Sequence, residues 1–174
     1  MSLLTKKEKD FIPSPAMQKT AARLMAVQNI YSREVLKSDD VILNMDTITD
    51  DELIAFYRDT IRNESPADAE ELAKKSPRIK IDRKFLKELT EGVIKDIENI
   101  DNTIQSISEK VDTNKVGAIL LAILRCATYE LQNHEKTPTN VILNEYITLG
   151  STFLSKTETG YLNALLDKLG KKAR

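Results

Sequence analysis

The sequence predicts an all-helical fold packed around one buried central helix. Two observations carry this. The first is composition: 174 residues hold only five glycines and five prolines, with 30% charged side chains. A sheet-rich chain of this size needs more turn formers, so the balance favours helices. The second is the stretch KVGAILLAILRCATYELQN, Lys115 to Asn133, which holds the one long, nearly unbroken apolar run, Val116 and Ala118 to Leu124. A surface helix shows an apolar stripe, whereas a helix that is apolar all round lies buried among others. The run is far shorter than the roughly 20 residues that span a bilayer. Asn114 is the expected N-cap, and nothing breaks the helix before Pro138. Arg125 interrupts the apolar face. A buried unpaired charge is costly, so a carboxylate has to meet it, and Glu145 from a later helix is the expected partner.

Taken in order, residues 1–13 read as a flexible basic arm, 14–170 as a single helical domain and 171–174 as a basic tail. The first helix starts at Ser14-Pro15, a hydroxyl cap followed by proline at the first helical position, and runs to Leu36. Leu24, Val27 and Tyr31 share its inner face, and Lys19 and Arg23, four positions apart, form a basic ridge. Thr49-Asp50-Asp51-Glu52 marks a second start, because carboxylates favour the positive end of the helix dipole. Leu53, Phe56, Tyr57 and Ile61 face inward there. A short helix is expected from Ser65 to Ser76. Asp82 opens a long pattern with Phe85, Leu86, Leu89, Val93, Ile97, Ile100, Ile104 and Ile107 at helical spacing. After the central helix, Thr137-Pro138 starts a helix that Gly150 ends. SKTETG reads as a polar loop, and a last helix carries Leu162, Leu165, Leu166 and Leu169 to a stop at Gly170. The count is seven helices with short connections, as in antiparallel bundles.

The net charge of −1 excludes a globally basic nucleic-acid binder, but the charge is unevenly spread. Residues 1–35 carry six basic groups against three acidic ones, while residues 36–75 carry five against eleven. A polyanion therefore meets the ends of the chain rather than its middle. The single cysteine, Cys126, rules out an internal disulfide and suits a reducing compartment, and the first residues have no signal-peptide pattern, so a cytoplasmic location is expected with no membrane contact.

Catalytic chemistry is missing from the pattern. One histidine, His134, and one cysteine cannot make a zinc site or a spare nucleophile–base pair; His134 reads as a surface residue and Cys126 as core. The glycines are too scattered for a phosphate-cradling loop, and the acids at 50–52 read as capping rather than as metal ligands. No catalytic residue, cofactor or metal is expected, which points to a binding protein rather than an enzyme.

Four segments go further. RLMAVQNIY (Arg23 to Tyr31), ILRCATYEL (Ile123 to Leu131), PTNVILNE (Pro138 to Glu145) and YLNALLDKL (Tyr161 to Leu169) stand in that order. The chain resembles the NusB transcription antitermination family, whose helices carry A-x-Q-x-L-Y, L-R-x-A-x-Y-E-L, P-x-x-V-x-I-N-E and F-V-N-G-x-L-D. The clear matches lie within 19–35 and 82–170. The resemblance implies two small helical bundles joined around the central helix. It also implies a non-enzymatic role: pairing with the ribosomal protein NusE, binding boxA-type RNA of ribosomal RNA transcripts, and helping the RNA polymerase elongation complex read through terminators. Lys19 and Arg23 are then expected to contact phosphates, with help from Lys6, Lys7 and Lys9. Tyr31 and Tyr161 either stack on unpaired bases or fill core space. Reversing Lys19 and Arg23 to Glu is expected to abolish RNA binding and spare helicity.

The sequence also departs from the family. The first helix has fewer arginines than usual, with Thr20, Ala21 and Ala22 between Lys19 and Arg23. Leu120 and Leu121 replace polar residues, which suggests an apolar partner surface or a homodimer face. Asn163 reads as a buried hydrogen-bonding residue, and Ala164 replaces the family glycine. Residues 37–81 match nothing in the family. One rival reading is a helical protein-interaction module without RNA binding. Another is a fragment of a ribosomal RNA cytosine methyltransferase, which a full-length product of this size excludes.

Overall fold

The computed structural model describes residues 13–38, 43–64, 80–109, 111 and 116–173. Seven helices and no strand lie among them: α1 Pro15–Leu36, α2 Asp50–Glu64, α3 Arg83–Lys95, α4 Ile97–Ser106, α5 Ala118–Asn133, α6 Thr139–Phe153 and α7 Lys156–Lys172. The expected arm through Ile12, the short helix at 65–76, the cap Asn114 and the Ile61 side chain fall outside the described residues.

Local chemistry sets the starts. Ser14 Oγ accepts from the Met17 amide at 3.2 Å with Pro15 behind it, so α1 begins where its sequence says. It ends at Leu36 because Lys37 turns left-handed, at φ 49°. Thr49 and Glu52 cap α2 reciprocally: the Thr49 amide donates to Glu52 Oε2 at 2.8 Å, and the Glu52 amide donates to Thr49 Oγ1 at 3.2 Å. Asp82 Oδ1 accepts from the Phe85 amide at 3.0 Å to open α3.

Five boundaries differ from expectation, the last being the C-terminal one: α7 does not stop at Gly170 but takes in Lys171 and Lys172 of the expected tail. The long pattern from Asp82 is two helices, broken at Asp96 (φ −111°, ψ 22°), whose carboxylate turns to the Asn99 side chain. The central helix starts at Ala118, behind Gly117. Gly150 does not stop α6, which runs on to Phe153. A Cβ at Gly150 would stand 2.3 Å from Leu162 Cδ2, so the glycine is there for close approach of α7. SKTETG is the beginning of α7 rather than a loop. Ser155 Oγ accepts from the Glu158 amide, and Glu158 reaches back to the Ser155 amide at 2.9 Å. The S-x-x-E spacing was the available signal. Ser155→Ala is expected to lower stability by about 1 kcal/mol, read as a shifted midpoint in urea.

The centre is α5, which packs against α1, α3, α4, α6 and α7. One bundle joins α1 to α3, with α2 on its flank, and the other joins α6 to α7; both share α5. Leu121 to Leu124, Cys126 and Ala127 are fully enclosed, together with Met25, Leu86, Leu89, Ile104, Tyr146 and Leu166. Among the described residues no helix is long and apolar enough to cross a membrane.

Candidate nucleic-acid interface

The expected basic ridge on α1 does not form. Lys19 and Arg23 are four residues apart, but the helix turns Arg23 inward, where it is 4% exposed. Its guanidinium grips Glu130 of α5 with two bonds, Nε to Oε2 at 2.9 Å and Nη2 to Oε1 at 2.6 Å, and Nη1 reaches Glu145 of α6 at 3.1 Å. Tyr146 donates its hydroxyl to Glu130 Oε2 at 2.9 Å, and Thr20 donates to Glu145 Oε2 at 2.7 Å. Burial alone would lower the Arg23 pKa, but the hydrogen bond and charge of Glu130 outweigh it and hold the guanidinium above its ordinary value. Burial, then the Glu130 charge, also push the Tyr146 hydroxyl well up, so it stays a donor. Arg23 is thus the pin of an α1–α5–α6 cluster, unavailable to phosphate. Reversing it to Glu would place a third carboxylate beside Glu130 and Glu145, so the double reversal cannot spare the fold.

The partner expected for Arg125 is also different. Glu145 belongs to Arg23. Arg125 takes Asp101 of α4 with two bonds at 2.8 Å and Glu34 of α1 at 3.0 Å. No spacing rule points from 125 to 101 or 34, so the pairing was illegible in one dimension. Hydrogen bonds from Lys37 and then Arg125 hold the Glu34 carboxyl below its ordinary value of 4.5, and bonds from the Thr49 and Ser155 cap residues do the same for Glu52 and Glu158. A carboxyl with a depressed folded pKa binds fewer protons folded than unfolded. These three therefore contribute stability that is full above their ordinary value of 4.5 and is lost as pH falls below it. An acid titration followed by circular dichroism should show the melting temperature dropping in that window.

Lys19 remains at the surface edge, its Nζ 5.2 Å from the centre of the Phe85 ring, with Arg23 behind the same ring at 5.3 Å. His134 meets Phe85 edge-on at 5.4 Å, and its Nε2 lies 3.1 Å from Glu88 Oε1. It is a half-buried wedge between α3 and α5 rather than a surface residue. The starts of α1 and α3 are bonded together, Asp82 amide to Gln18 carbonyl at 3.2 Å. Neither helix has an acid in its first turn, and neither does α6. The start of α1, capped by the neutral Ser14, therefore carries no acid of its own beside Lys19, whereas the Asp82 carboxylate caps α3.

Tyr31 is half-buried on α1, twelve positions from Lys19 or about 18 Å along the axis. Tyr161 is 41% exposed on α7, in the other bundle. The four sequence-derived residues are not gathered into one site. Leu120 and Leu121 are 7% and 2% exposed, so they are core and supply neither a partner surface nor a dimer face. Asn163 is exposed rather than buried. Cys126 is enclosed, and burial raises its thiol pKa, consistent with a core role.

The NusB family model matches residues 20–171, a span that takes in 37–81, the stretch in which the sequence showed no family match. The transcription antitermination protein NusB of Bradyrhizobium diazoefficiens is 28% identical over 170 residues, covering 97% of this chain and 93% of that one. Its counterpart in Bartonella tribocorum is 30% identical over 163 residues, covering 93% and 94%. Among solved structures, NusB of T. maritima superposes with a TM-score of 0.61 at 18% identity, covering 92% of this chain and 94% of that one, a likeness of fold. Sequence along nearly the whole chain and the helical arrangement agree: the chain belongs to the NusB family.

Proposed function

We propose that the protein is a transcription antitermination factor that binds boxA-type RNA together with the NusE ribosomal protein, within the RNA polymerase elongation complex, and catalyses nothing. The family match across residues 20–171 is the observation that carries this. The local support is the end of the molecule where α1 and α3 start. Lys19 stands there in α1, whose cap is the neutral Ser14 and whose first turn holds no acid, and such a helix start with a cation positions a phosphate backbone without reading sequence. Arg23 acts indirectly, by fixing α1 against α5 and α6. Tyr31 and Tyr161 are secondary candidates for stacking on bases.

The test is fluorescence anisotropy of a labelled boxA-type RNA, with and without NusE, at two salt concentrations. Binding is expected to tighten with NusE and weaken with salt. Lys19→Glu is expected to weaken it about tenfold and to reduce the salt slope by about one unit, with unchanged helicity. Unchanged binding removes Lys19 from the interface. No RNA binding in any arm, with the protein complex still forming, favours the interaction-module reading.

A further inference from the structure

A cleft of about 200 Å³ opens between α1, α2 and α6. Leu24, Leu149 and Tyr57 give it apolar walls, Thr148 and Thr152 give it hydroxyls, and Glu145 gives it a carboxylate. The ion cluster behind it sets two carboxylates, Glu130 and Glu145, against the one guanidinium of Arg23. Glu130 is enclosed and satisfied by Arg23 and Tyr146. Glu145 lines the cleft with its side chain 29% exposed; Oε2 takes both Thr20 and Arg23, and Oε1 takes no bond among the described residues. The surplus negative charge therefore resides on the one acid that borders open space. A phosphate is repelled here and a cation attracted.

Apolar walls with a carboxylate among hydroxyls match a side chain that has an aliphatic stem and a cationic head. We propose that this cleft seats an arginine presented by a basic segment of a protein partner. The stem lies along Leu24 and Leu149, the guanidinium plane meets the Tyr57 ring, and its donors serve Glu145 Oε1 and the threonine hydroxyls. Arginine fits better than lysine because its planar fork supplies several donors at fixed spacing to several acceptors. The inference rests on the proposed function only for the existence of a protein partner. It concerns a surface separate from Lys19, which lies over Phe85 on the α3 side of α1.

The test uses the full chain, isotope-labelled for NMR, with the peptide acetyl-Ala-Leu-Arg-Leu-Ala-amide and its citrulline analogue, which keeps the shape and removes the charge. The arginine peptide is expected to shift the amide signals of Tyr57, Thr148 and Thr152 saturably and to bind at least about tenfold more tightly than the citrulline peptide. Glu145→Gln is expected to erase that preference. Because Glu145 also holds Arg23, Thr148→Val provides a variant outside the ion cluster; it should weaken the arginine peptide severalfold at an unchanged melting temperature. Equal binding of the two peptides overturns the proposal, as does a response centred away from the cleft. A short single-stranded RNA shifting the same three signals also overturns it, in favour of a nucleic-acid site. RNA anisotropy with Lys19→Glu reads the other face, so the two readings fail independently.

Discussion

Arg23→Met is expected to lower the free energy of unfolding by about 3–5 kcal/mol, the usual consequence of removing one partner from a buried pair. The reason is what it leaves behind. Glu130 is enclosed, and two of its three hydrogen bonds come from Arg23. Without the guanidinium, a carboxylate stays in the interior with only the Tyr146 hydroxyl beside it. A neutral amide tolerates that setting far better, so adding Glu130→Gln to Arg23→Met should restore much of the loss, since Tyr146 can still donate to it. Urea denaturation of the wild type, the single variant and the double variant measures both effects. A single-variant loss below about 1 kcal/mol would show that water reaches Glu130 and that the cluster is not sealed.

Gly150→Ala is expected to cost about 1–3 kcal/mol although it replaces a poor helix former with the best one, a gain of up to about 1 kcal/mol elsewhere. The added methyl would stand 2.3 Å from Leu162 Cδ2, with Ile123 and Leu154 methyls closing the space behind. Leu162 is itself fully enclosed and has nowhere to go, so α6 and α7 must separate. Gly160→Ala in α7 is the control, because nothing stands within 4 Å of its added methyl. It should stabilise by about 0.4–1 kcal/mol. Thermal melts of the two variants should move in opposite directions. A stabilised Gly150→Ala would mean that the two helices approach less closely than the structure shows.

Local signals in the sequence predicted local features well. Ser14-Pro15 started α1, Thr49 with Glu52 started α2, Asp82 started α3, and the apolar run became the buried central helix. The functional reading suffered where a side chain's role depends on distant partners. Arg23 belongs to a basic-looking helix face, and only the fold reveals that Glu130 and Glu145 wait on its inner side. Leu120 and Leu121 looked like an anomaly needing an external partner, whereas the packing of α5 against five helices absorbs them. Gly150 looked like a stop because glycine ends helices; its close neighbour, Leu162, belongs to the next helix. The cleft had no sequence signature at all, since its walls come from three separate helices.

The bond from Arg23 to Glu130 spans 107 positions of chain, and that from Arg125 to Glu34 spans 91. Both fasten α1 to α5, and neither can exist until α5 has been made. During synthesis at about 5–20 residues per second, the first helix would wait roughly 5–20 seconds for its counterion. In that interval Arg23 lacks both of its carboxylates and stays a solvated cation four positions from Lys19, so the nascent segment is more basic than the same segment in the finished protein. Closure of the ion clusters therefore marks a late, non-local step in folding, and with it the surface charge of α1 changes from that of the nascent chain to that of the mature protein.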